Sequence, residues 1–79
     1  MRLELDPQAD AAYVWLRELP YAFGEDLDHE RRIDYAADRQ PIGVELLNVS
    51  RGVNVSDLPR ATEIEQLLRE HNIQTLAAR

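Results

Sequence analysis

The sequence predicts an α+β fold: a small antiparallel β-sheet of four to five strands with one C-terminal helix packed on one face. Three observations lead there. Short segments within residues 2–47 alternate apolar and polar side chains, as strands with one buried face do. Beyond Pro59, the residues Ile64, Leu67, Leu68 and His71 recur at three-and-four spacing and draw one stripe along a helix. The chain has 79 residues, room for one core and not two, so sheet and helix must share it. Residues 1–79 are therefore read as one domain, with a sheet core over 1–50 and a helix with a short terminal strand over 51–79.

Arg2-Leu3-Glu4-Leu5 alternates and opens the first strand. Pro7 presets the backbone angle of a turn's second position and the Asp6 carboxylate can accept from a nearby amide, so Asp6 to Asp10 reads as a turn. The second strand, Ala12 to Arg17, carries Ala12, Val14 and Leu16 on one face and Tyr13, Trp15 and Arg17 on the other. Bulk on both faces places it near the middle of the sheet. Leu19-Pro20 begins a long connection through Gly24 and an acidic stretch. Arg31 to Tyr35 is the third strand, Ala36 to Pro41 a hairpin connection, and Ile42 to Leu47 the fourth strand, with Ile42, Val44 and Leu46 inward and Glu45 outward. Gly43 within it points to a bulge or a close backbone approach.

Pro59 suits the first turn of the helix, with Ser56 or Asp57 as the capping candidate. Glu63 and Glu65 near its start, and Arg69 and His71 near its end, match the helix dipole, and Glu65 stands four residues from Arg69. Asn72 is placed for the left-handed position that ends a helix, with Ile73 folding back on the last turn. Ile73 to Leu76 reads as a last short strand.

Composition removes several chemistries. Without cysteine there is no disulfide, thiolate zinc site or thiol nucleophile; without lysine there is no P-loop lysine and no Schiff base. The lack of lysine reads as coding bias rather than function. The longest apolar run, Ala11 to Leu16, is too short to span a membrane, and Met1-Arg2 leads directly into charged residues, so a cytoplasmic protein without membrane contact is expected. Fifteen acidic residues against nine arginines give a net charge of −6, which disfavours phosphate backbones and hence nucleic acid. The excess is local. Residues 1–30 hold eight acids and two arginines, residues 31–79 seven of each, and Glu18 to Glu30 contains five acids and no arginine.

Glu25-Asp26-Leu27-Asp28-His29-Glu30 has oxygens and an imidazole for a divalent cation, but an EF-hand register from Asp26 puts Arg31 where Gly is needed and Ala37 where a bidentate Glu is needed. A solvated loop is the simpler reading. Asp6 and Asp10 lack any sequence sign of the pocket that acid–base pairs need, and are read as turn formers. His71 falls on the helix stripe, Ser50 and Ser56 lack a glycine-flanked elbow, and Gly24, Gly43 and Gly52 are too scattered to cradle a phosphate. Arg31-Arg32 with Arg51 and Arg60 make at most a local basic patch. No catalytic residue, metal ligand or cofactor is assigned. Because one helix covers one sheet face, Tyr13 and Trp15 are expected on the other, where such rings are more naturally buried against another subunit. Tyr13, Trp15, Glu25, Asp26, Asp28 and Glu30 are the candidate interaction residues.

The run Asp6-Pro7-Gln8-Ala9-Asp10-Ala11-Ala12-Tyr13-Val14-Trp15-Leu16, followed by Ile33-Asp34-Tyr35 and Ile42-Gly43-Val44-Glu45-Leu46-Leu47-Asn48, resembles the small bacterial domain-of-unknown-function family 2283. The resemblance brings no catalytic residues. It implies similarity to antitoxin-like proteins encoded beside a toxin-like protein, and so partner binding. Ala36-Ala37-Asp38-Arg39 departs from the acidic, glycine-containing tight turn usual there. The expected function is a non-enzymatic protein-interaction module, antitoxin-like and homodimeric. The alternatives are a carboxylate- or metal-dependent small hydrolase using Asp6, Asp10 or the Glu25 to Glu30 stretch, and an acidic antagonist of a basic toxin or nuclease.

Overall fold

Strands β1 (Arg2–Asp6), β2 (Ala11–Trp15), β3 (Phe23–Asp26), β4 (Arg31–Tyr35) and β5 (Pro41–Leu47) form one antiparallel sheet in the order β1-β2-β5-β4-β3. They are seen in a computed structural model that describes residues 1–76. β3, β4 and β5 follow one another as hairpins, and β2 returns beside β5, so β2 to β5 form a Greek key with β1 added by a further hairpin. The α+β expectation and its single C-terminal helix hold, and the strand count is five in this sheet.

The turns follow from the residues in them. The Asp6 carboxylate accepts from the Ala9 amide at 3.2 Å and the Asp10 amide donates to the Pro7 carbonyl at 3.3 Å, closing the β1–β2 turn. In the β4–β5 turn, which has no glycine, Arg39 itself takes the left-handed conformation with φ 69. Its amide donates to Ala36 at 3.0 Å, and the Asp38 carboxylate accepts from Gln40 at 3.0 Å.

The strand β3 corrects the sequence reading, which treated Phe23 to Asp26 as connection. One aromatic, one glycine and two acids carry little strand preference of their own. Pairing with β4 supplies the rest: Phe23 stacks on Tyr35 with ring centroids 5.0 Å apart, and Asp26 pairs with Arg32 at 2.9 Å. The acidic stretch is therefore the arm and turn of a hairpin rather than a loop. The end of β2 also differs. Its ladder stops at Trp15 because the Leu16 and Arg17 amides both turn to the Ile42 carbonyl, at 2.8 and 3.2 Å. Opposite, the β4–β5 register slips between Asp34 and Tyr35, leaving Ile42 as the extra residue of a bulge beside Gly43.

Beyond β5, a 3₁₀ turn (Val49–Arg51) leads to β6 (Val53–Asn54), helix α1 (Ala61–Glu70) and β7 (Thr75–Leu76). β6, in a stretch read only as the approach to the helix, pairs parallel with β7, the expected terminal strand. The capping expectation is corrected. Arg60, with φ 53, stands at the helix N-cap without a side-chain cap, Pro59 lies just outside, and Ser56 closes a local turn on Asn54 at 2.9 Å. At the other end Asn72 is left-handed as expected. Its amide reaches the Arg69 carbonyl at 3.0 Å and the Ile73 amide reaches Leu68 at 2.9 Å, the paired bonds of a Schellman motif.

One core serves both layers. Ala12, Val14, Leu16, Ile33, Val44 and Leu46 from the sheet meet Val53, Val55, Leu58, Ile64 and Leu68. Val14, Val44, Leu46, Ile64 and Leu68 are fully enclosed, each contributing about 1.5–3 kcal/mol by burial. Leu67 is partly buried at its margin, whereas His71 is exposed, its Nδ1 2.9 Å from the Leu67 carbonyl. No helix among the described residues is long and apolar enough to cross a membrane.

Candidate functional site

With the helix on one face, the period of two along each strand sends the remaining side chains to the opposite, open face. Two transverse rows result. One runs Glu4, Tyr13, Glu45, Arg32, Asp26 across β1, β2, β5, β4 and β3; the other runs Arg2, Trp15, Gly43, Asp34, Gly24. The two glycines are sockets. A Cβ on Gly43 would lie within 2.6 Å of Tyr13 Cε2 and nearer still to its Oη, and a Cβ on Gly24 would lie 2.7 Å from Arg32 Nε and Asp34 Oδ1.

These sockets let the two rows lock together. Tyr13 lies over Gly43 and donates its hydroxyl to Asp34 Oδ2 at 2.8 Å, while its ring meets Trp15 edge-on with centroids 4.7 Å apart. Trp15 donates Nε1–H to Glu4, and the Arg2 guanidinium stands 5.0 Å from the Trp15 ring centroid. Arg32 joins Asp26 at 2.9 Å and Asp34 at 3.4 Å, and reaches the Tyr21 hydroxyl at 3.4 Å. Burial, then the bond to Asp34 and the field of Asp34 and Glu45, pushes the Tyr13 phenol well above its usual value. Tyr13 is thus a neutral hydrogen-bond donor at physiological pH.

The segment after β2 forms a lip. It crosses the sheet end from the Ile42 carbonyl to Ala22, whose amide donates to Tyr35 at 2.8 Å, and it carries exposed Leu19 and Tyr21. Between lip and face lies a groove of about 430 Å³ lined by Tyr13, Trp15, Leu19, Tyr21, Asp34 and Ile42. Asp34 Oδ1 is buried beside it and accepts no hydrogen bond.

Of the six candidate interaction residues, Tyr13, Trp15 and Asp26 share the open face. Glu25 lies opposite Ile33, on the helix side of an edge strand, and is exposed. Asp28 and Glu30 sit in the β3–β4 turn with partners of their own. The Asp28 carboxylate accepts from the Glu30 amide at 2.9 Å and from Arg31 Nε at 2.9 Å; although its burial opposes this, these bonds hold its pKa below the usual range. Glu30 accepts from Asn48 Nδ2 at 2.8 Å. Arg31 also donates to the carbonyls of Asn54 at 2.9 Å and Ser56 at 2.6 Å, tying the acidic hairpin to the approach to α1.

The other candidate chemistries find their residues in structural use. Asp6 closes its turn, and Asp10 accepts from the Ser50 amide at 3.0 Å and hydroxyl at 2.7 Å, fastening the β1–β2 turn to the 3₁₀ turn. Of the four arginines of the local basic patch, Arg31, Arg32 and Arg60 are each ion-paired. Among the described residues no three His, Asp or Glu side chains converge as a metal site requires. Sequence reasoning missed Asp34, Arg32, Tyr21 and Glu4 as members of the face. The available signal was Gly43 opposite Trp15 and diagonal to Tyr13, a missing side chain next to a large ring.

No curated protein and no solved structure matches the chain. A family profile described as a protein of unknown function matches residues 2–50, which take in the whole five-stranded sheet with its turns and the lip. The chain belongs to the DUF2283 family.

Proposed function

We propose that this protein is a non-enzymatic interaction module that docks a partner on the open face of its sheet. The observation that carries this is the face itself: an ordered aromatic and charged layer spanning five strands, beside an apolar groove, with no helix among the described residues over it. Large rings already fixed by neighbours lose little entropy on contact, which is what interface centres use. The register places Glu4, Asp6, Asp26, Asp34 and Glu45 on this side against Arg2 and Arg32. A second copy docked face to face would set two faces of the same net negative charge against each other. A different, basic chain is favoured, and an antitoxin-like role capping a basic effector is the form that suits such a face.

The test is co-expression with the product of the adjacent gene and co-purification in low and high salt. Association that weakens as salt rises, is lost in a Leu19→Ser/Tyr21→Ala variant and survives Gln66→Ala on the helix supports the reading. Association unaffected by the lip variant, or no association, overturns it.

A further inference from the structure

We infer, on the basis of that reading, that the groove between the lip and the open face receives an arginine side chain from a basic protein partner. Three features of the groove point to a guanidinium. Its walls supply Tyr13, Trp15 and Tyr21, whose ring faces attract a flat, weakly hydrated cation. Asp34 lines it with a side chain 15% exposed, its Oδ2 accepting from Tyr13 and its Oδ1 paired with Arg32 Nε at 3.4 Å. Its surroundings carry the acidic excess of the open face.

The chain's own arginines show the same chemistry at the rim. Arg2 stands 5.0 Å from the Trp15 centroid, and Arg32 reaches the Tyr21 hydroxyl at 3.4 Å. Neither arginine lines the groove itself, which is bounded by Tyr13, Tyr21 and Leu19 among others. Leu19 and Ile42 would cover the methylene stem of an incoming arginine while its fork turned towards Asp34. A lysine would gain the charge but neither the stacking nor the forked geometry.

The probe is a hexa-arginine peptide titrated into the full chain at low salt, followed by the fluorescence of Trp15, the one tryptophan. Hexa-lysine is the comparison. Binding of hexa-arginine several-fold tighter than hexa-lysine, weakened about tenfold by Asp34→Asn or Tyr21→Ala and unchanged by Glu70→Gln, is the expected pattern. Asp34→Asn and Glu70→Gln change net charge equally, so their difference isolates the groove. Tyr21 is exposed on the lip, which keeps the test usable if Asp34→Asn perturbs folding. Equal binding of the two peptides, equal weakening by Asp34→Asn and Glu70→Gln, or no binding overturns the proposal. A partner complex lost on lip mutation but insensitive to Asp34→Asn would overturn this inference and leave the interaction reading standing.

Discussion

Replacing Gly43 by alanine should unseat Tyr13. The backbone there is compatible with an L side chain, since Gly52 is the glycine with positive φ. On its own the change would therefore stabilise the chain by about 0.4–1 kcal/mol through the unfolded state. The new methyl, however, would overlap Tyr13 Oη, Cζ and Cε2, the farthest of these at 2.6 Å. The ring must swing away, which breaks its 2.8 Å hydrogen bond to Asp34. A hydrogen bond to a charged acceptor contributes about 1.5–3 kcal/mol, so the net expectation is a loss of roughly 1–2 kcal/mol. Urea unfolding followed by Trp15 fluorescence measures it. In a Tyr13→Ala background nothing occupies the socket, and the same Gly43→Ala change should become neutral or stabilising. Equal destabilisation in both backgrounds would place the cost in the strand and not under the ring, contrary to this expectation.

Other consequences follow from the same contacts. Arg31→Leu should cost about 2 kcal/mol in urea unfolding, since the Asn54 and Ser56 carbonyls and Asp28 lose a charged donor together, and Arg31→Lys should recover only part of it. Arg39→Gly should raise stability by about 1 kcal/mol by relieving the left-handed residue of the β4–β5 turn, measured as a higher melting temperature. Asp10→Ala should cost about 1 kcal/mol, read from the urea midpoint, because the Ser50 amide and hydroxyl lose their acceptor. The Tyr13 phenol is raised in the folded chain, so its contribution is complete below the unfolded value near 10 and is lost as pH rises above it. Tyr13→Phe should therefore flatten the alkaline decline of stability, and parallel alkaline limbs would contradict the raised Tyr13 phenol that burial and the Asp34 bond produce.

The elements that fold by burial were legible in the sequence. Val14, Val44 and Leu46 alternate cleanly, and Ile64 and Leu68 keep the helical stripe, so β2, β5 and α1 could be placed from pattern alone. β3 could not be, because its pattern is electrostatic and cross-strand: Asp26 finds Arg32 and Phe23 finds Tyr35 only after the hairpin has closed. The same holds for the helix start, where a left-handed Arg60 replaces the expected cap. The acidic run looked uncompensated when counted along the chain. In the fold Asp26 and Asp28 meet the two arginines that follow directly, and Glu30 meets Asn48. Tyr13 and Trp15 were visible as rings on the face the helix leaves open, but Asp34 and Arg32 looked like ordinary solvent-facing strand residues. What joins them is the space over Gly43 and Gly24, which requires the register between strands far apart in sequence.

Hydroxyl-radical footprinting of the co-purified complex tests whether the open sheet face is the contact surface. Oxidation of Trp15 and Tyr21 should fall on complex formation while that of His71 on the helix side stays unchanged. Undiminished oxidation of Trp15 and Tyr21, with protection of His71, would contradict it.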